Sequence, residues 1–148
     1  MPPKLSPGPL GLKRIVVPGD GDCFFHSFKR ATSDPRPVDQ IRADAVAALM
    51  SDRRRRAECL AYNMTRLADW VAVDERRAGG QRVKPREDFS IAAWQAVAEA
   101  HGVTVADMYR RMTDAPGYAA DMLRAALSLR DYYADEILVS VVCRSAGV

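Results

Sequence analysis

Apolar residues recur along this chain at helical spacing far more often than at the strict alternation of a half-buried strand. Phe24, Phe25 and Phe28 predict a helix from Asp22 to about Ala31. A loop follows over Thr32 to Pro37, where Ser33, Asp34, Pro35 and Pro37 collect. Val38, Ile41, Ala45, Ala48 and Leu49 share one face of a second helix. Leu60, Met64, Leu67 and Val71 predict a third over about Ala57 to Val73, preceded by the basic run Arg53 to Arg56. Ala78 to Arg86 reads as a loop with Gly79, Gly80 and Pro85. Ser90 is a candidate cap for a helix carrying Ile91, Trp94 and Val97 that ends near Gly102. Thr104 and Asp107 resemble a capping box, with Asp in place of Glu, ahead of Val105, Met108 and Met112. Asp114 to Gly117 reads as a turn, and Tyr118, Met122, Ala125 and Leu129 mark a further helix. Two stretches favour extended structure. Ile15-Val16-Val17, ended by Pro18, reads as a strand or lead-in. Ile137 to Val142 is β-branched, and its local propensity favours a strand.

The 148 residues fit one domain, and 48% are apolar, enough for a packed core. The net charge of +3, from 22 basic and 19 acidic residues, is too mild to imply a nucleic-acid partner. No apolar run approaches the roughly 18 residues of a membrane span. The first residues, rich in Pro and Gly, lack the apolar core of a secretory signal, and 1–13 read as a flexible leader. The 3 cysteines, Cys23, Cys59 and Cys143, are odd in number and widely spaced, which argues against a disulfide framework. With 2 histidines and no Cys-x-x-Cys pair, no metal site is expected, and no cofactor is implied. The same cysteine pattern implies a reducing, intracellular setting: cytoplasmic, or the host cytoplasm if the source is viral or an effector; separately, Ala and Arg richness suggests a GC-rich bacterial or viral genome.

The segment that carries chemistry is Pro18-Gly19-Asp20-Gly21-Asp22-Cys23-Phe24-Phe25-His26. A glycine-rich turn enters a helix whose first turn holds a cysteine. Free backbone N–H groups and the positive end of the helix dipole favour the thiolate, the reactive form. The same N–H groups suit an oxyanion formed as a carbonyl is attacked. A small turn also permits close approach of a substrate backbone. On these grounds alone, a cysteine packed at an ordinary helix start is the competing reading.

Asp20-Gly21-Asp22-Cys23-Phe24-Phe25-His26 resembles the active-site motif of the ovarian-tumour (OTU) cysteine proteases: Asp-Gly-x-Cys, two large apolar residues and a basic one. Tyr118, Met122 and Tyr132-Tyr133-Ala134-Asp135-Glu136-Ile137 resemble a second stretch of that family, with tyrosine where tryptophan is common. Ile41-Arg42 sits where the family often has an apolar residue followed by Arg. The resemblance covers about residues 15–148. It implies a helix-rich α/β (α+β) fold with a small sheet whose C-terminal strands lie beyond Val148. Residues 14–148 would form the domain, with about 75–115 as a helical insertion. It also implies a helix, not a strand, over Asp135 to Ala146, ended by Gly147.

By the same resemblance, Cys23 is the nucleophile of a deubiquitinase acting on ubiquitin or ubiquitin-like conjugates. Asp20 is the motif aspartate that supports the oxyanion loop, and Gly21 and Asp22 belong to that loop. The family's catalytic histidine and its acidic partner would follow the last helix and are not among these residues. The alternative is a catalytically impaired scaffold that binds ubiquitin or another protein. His26, one turn past Cys23, is a possible auxiliary. His101, before Gly102, reads as a helix-end histidine. Arg53 to Arg56, flanked by Asp52 and Glu58 and lacking interleaved aromatics, read as a solvated helix face, so neither nucleic acid nor membrane is an expected partner. Trp70, Trp94, Met108 and Met112 read as core, as do Cys59 and Cys143.

Overall fold

The computed structural model describes residues 21–80 and 91–147. The expected leader, the Ile15 to Val17 strand, Asp20 and the Ser90 cap lie outside the described residues. The described chain folds into α1 (Cys23–Thr32), α2 (Val38–Ser51), α3 (Arg53–Ala78), α4 (Ile91–Ala100), α5 (Val105–Asp114), α6 (Pro116–Leu127) and α7 (Glu136–Ser145).

The described residues contain no strand, which corrects the expected α/β fold with a small sheet. The β-branched run Ile137 to Val142 shows the physical reason. The Asp135 carboxylate accepts the Leu138 N–H (2.8 Å) and starts α7. Leu138, Val141 and Val142 then fall on one buried helical face. Burying such a side chain contributes about 1.5–3 kcal/mol, against helix-propensity differences of only a few tenths of a kcal/mol per residue. Packing therefore outweighs local preference.

Helix boundaries follow from caps. Ser33 ends α1 in the left-handed region (φ 51°), and Lys29 Nζ ties the ensuing loop through the carbonyls of Asp34 (2.8 Å) and Arg36 (2.6 Å). Asp52 alone separates α2 from α3; its backbone is extended, and its carboxylate accepts the Arg55 N–H (3.1 Å). Helix α3 therefore begins at Arg53, four positions before the periodicity predicts, and the arginine run forms its first turn. Arg55 turns inward to Ser140 Oγ, and Arg56 donates to the Met50 carbonyl (3.0 Å); Arg53 and Arg54 face solvent. Thr104 caps α5 by accepting the Asp107 N–H (3.1 Å). Pro116 occupies the first turn of α6, so that helix starts inside the expected turn.

Helix α2 packs on α1, α3, α6 and α7, while α6 packs on α2, α3, α4 and α5. The core joins Phe25 and Phe28 of α1 to Ile41 and Leu49 of α2, Leu67 of α3, Trp94 of α4, Met108 of α5, Leu123 of α6 and Leu138 of α7. Trp94 and Met108 are core, as expected, and Trp70 is half-buried against it. At the centre sits a polar knot. Asn63, fully buried, donates to the Cys59 carbonyl (2.8 Å) and the Tyr132 hydroxyl (2.9 Å), and accepts from the Trp94 indole N–H (3.1 Å). The Tyr132 hydroxyl in turn donates to Asp135. Burial, reinforced by the nearby Asp135 charge, raises the Tyr132 phenol above its ordinary range.

Candidate active site

Cys23 is the first helical residue of α1 and is half-buried. The first intrahelical bond runs from the His26 N–H to the Asp22 carbonyl (2.9 Å). The N–H groups of Cys23, Phe24 and Phe25 thus belong to the set that a helix start leaves without helical partners. A capping aspartate would normally accept one of them. Asp22 stands at that position and makes no side-chain cap bond.

Its carboxylate is turned inward instead. Asp22 Oδ1 accepts from Arg42 Nε (2.8 Å), and Oδ2 accepts from Arg130 Nε (3.2 Å). Asp22 and Arg42 are 6% and 4% exposed, so this is a buried pair, whereas the Arg130 side chain is 69% exposed. The rest of the Arg42 fork is also used. Nη1 donates to the carbonyls of Leu127 (2.9 Å) and Tyr132 (3.0 Å), and Nη2 to that of Gly21 (3.0 Å). The guanidinium carbon lies 4.6 Å from the Phe25 ring centroid. Only a planar, multiply donating cation satisfies this set.

Gly21 closes the other side of the turn. A Cβ built on it would lie 1.5 Å from the Arg130 carbonyl oxygen, so the backbones of the thiol turn and the α6–α7 loop touch where a side chain cannot fit. A cleft of about 220 Å³ opens beside the clamp, lined by Asp22, Asp39, Arg42, Ala43, Ser128 and Arg130.

The expected site residues are distributed as follows. Cys23, Gly21 and Asp22 form one turn. Asp22, expected as a loop residue, is an internal anchor. His26 lies one turn further along α1, half-buried. His101 is exposed at the end of α4, with Nδ1 2.8 Å from the Val97 carbonyl oxygen, the helix-end role expected for it. Among the described residues, neither an imidazole nor a carboxylate hydrogen-bonds the Cys23 sulfur. Cys59 is fully buried in the polar knot, and its thiol is pushed up to about 12, chiefly by burial and then by the Asp135 charge. Cys143 is half-buried on α7. Among the described residues, no group of His, Cys, Asp and Glu is placed to hold a metal, and no helix is long and apolar enough to cross a membrane.

Arg130 and the anchoring role of Arg42 went unread in the sequence. Arg42 did leave a signal: it is a cation beside the apolar stripe of Ile41, Ala45 and Leu49, where a solvated charge has no room. Arg130 left none. Comparison with protein families, curated proteins and solved structures returns no match for this chain.

Proposed function

We propose that Cys23 is the nucleophile of an OTU-like cysteine peptidase that cleaves ubiquitin or ubiquitin-like conjugates. One observation supports the reading: the Asp22 carboxylate is withdrawn from the start of α1, so the first-turn N–H groups beside a half-buried thiol carry no side-chain cap from it. An ordinary packed cysteine needs no such arrangement. In the reaction, the Cys23 sulfur bonds to the carbonyl carbon of the scissile amide, and charge on the carbonyl oxygen is held by the first-turn N–H groups. The C–N bond then breaks, and the amine leaves with a proton from a general acid. Water hydrolyses the thioester, restoring the thiol and releasing a carboxylate. His26 is the auxiliary residue nearest in sequence to Cys23.

A second reading is a scaffold that binds ubiquitin or another protein without turnover. It is favoured by the absence, among the described residues, of a base hydrogen-bonded to the Cys23 sulfur. The deciding experiment exposes the chain, and its Cys23→Ala variant, to ubiquitin bearing a C-terminal thiol-reactive group, followed by intact mass. A ubiquitin-sized adduct on the parent chain alone supports the peptidase. No adduct on a folded parent chain removes it, and ubiquitin affinity measured by titration then supports or removes the scaffold.

A further inference from the structure

We infer that the Asp22–Arg42–Arg130 clamp is a positioning device: it keeps the Asp22 carboxylate off the start of α1 and so holds the Cys23 turn ready for an anionic group. The inference builds on the assignment of Cys23 as nucleophile and adds two residues that act through Asp22, Arg42 and Arg130.

The geometry supplies the argument. Aspartate immediately before a helix is among the best N-caps, and its default act is to place a carboxylate on the second or third N–H group. Here that default would be harmful, because a carboxylate there would occupy the donors an oxyanion needs and set a negative charge beside the sulfur. Arg42 prevents it with a short bond to one oxygen, and Arg130 holds the other. Arg42 is itself fixed by the carbonyls of Leu127, Tyr132 and Gly21, so it cannot follow Asp22 outward. The contact of Gly21 with the Arg130 carbonyl locks the turn against the loop that carries the outer arginine. Among the described helices, α3, α5 and α7 start with an Asp or Thr side chain on an early N–H; α1 has an Asp in that place and does not use it.

The test uses the full chain as Arg42→Gln and Arg130→Gln variants, with folding checked by circular dichroism. Each is alkylated with iodoacetamide in its native state, and the rate at Cys23 is read by peptide mass relative to Cys143 in the same molecule. That internal ratio is insensitive to a uniform loss of stability. Arg42→Gln is expected to lower the ratio at least fivefold, and Arg130→Gln, at an exposed side chain that the core does not need, about twofold. If Arg42→Gln does not fold, the Arg130→Gln ratio decides. An unchanged ratio in the folded variant overturns the inference. The ubiquitin probe is run in parallel. If the parent chain labels, the variants should lose maximal labelling rate with little change in the half-saturating probe concentration. If the parent chain does not label, the peptidase reading fails, while the alkylation ratio still judges the clamp.

Discussion

Replacing Asn63 with leucine tests whether the polar knot in the core is a coupled unit or a set of independent bonds. Leucine matches asparagine in heavy-atom count and in branching at Cγ, is bulkier, and removes its polar atoms. The Tyr132 hydroxyl retains Asp135 as a partner. The Trp94 indole N–H, in a side chain only 2% exposed, loses the acceptor it has at 3.1 Å. A stranded buried donor costs about 1–3 kcal/mol, and the greater bulk of leucine in the packed core adds about 1 kcal/mol. Asn63→Leu should therefore destabilise by about 3 kcal/mol, a large share of the roughly 5–15 kcal/mol that holds a domain together. For a chain of this size that lowers Tm by about 6–12 °C. Trp94→Phe alone should cost about 2 kcal/mol through lost ring area and the missing bond. In the double variant the stranded donor no longer exists, so the combined cost should fall short of the sum by about 1–2 kcal/mol. Urea unfolding followed by circular dichroism gives all four free energies. Additivity within about 0.5 kcal/mol would refute the coupling.

Three further outcomes are expected. Native alkylation at pH 8 should modify Cys23 and Cys143 and spare Cys59, whose thiol at about 12 leaves only ~10⁻⁴ as thiolate; in denaturant all 3 cysteines should react, and native labelling of Cys59 contradicts its burial. The hydrogen bonds from the Arg36 side chain, and then from its backbone N–H, lower Asp34 from 3.8 to about 2. A depressed carboxyl stabilises the fold above its unfolded value and loses that contribution as pH falls through its folded one. The Asp34 carboxyl should therefore titrate near pH 2 by NMR and return towards 3.8 in Arg36→Gln, and an ordinary midpoint in the parent chain would discard the pairing. Gly21→Ala forces a methyl onto the Arg130 carbonyl and should cost about 1–3 kcal/mol or more. Gly117→Ala, on α6 with no neighbour within 4 Å, should stabilise by about 0.5–1 kcal/mol; equal melting temperatures for the two variants would contradict the contact.

The parts of this fold that could be read in advance are those written by short-range periodicity. Phe25 and Phe28, Ile41 and Leu49, and Met108 and Met112 each lie on the buried face their spacing implies. Periodicity puts the start of α3 too late because the four arginines mask a helix turn, and the Asp52 side chain marks where it begins. The helix over Glu136–Ser145 followed from the OTU resemblance against local propensity, while the sheet implied by that resemblance has no counterpart among the described residues. At the candidate site, the cysteine and its turn were legible because their chemistry is local. The clamp was not, since Arg42 meets carbonyls 85 and 90 positions away and Arg130 meets Asp22 across 108. No pattern within a window reports such a partner, and a lone arginine beside an apolar stripe is the only trace it leaves.

Those same separations set an order of events during synthesis. The turn that carries Cys23 is among the first described segments to leave the ribosome, while Arg130 and the carbonyls that fix Arg42 come more than 80 residues later. At about 5–20 residues per second, the interval between Asp22 and Arg130 lasts roughly 5–20 s. Arg42 emerges early in that interval, but the Leu127 and Tyr132 carbonyls that fix its fork emerge only near its end. Arrival of the α6–α7 loop is then the step that completes the clamp, which ties the geometry of the Cys23 turn to completion of the fold.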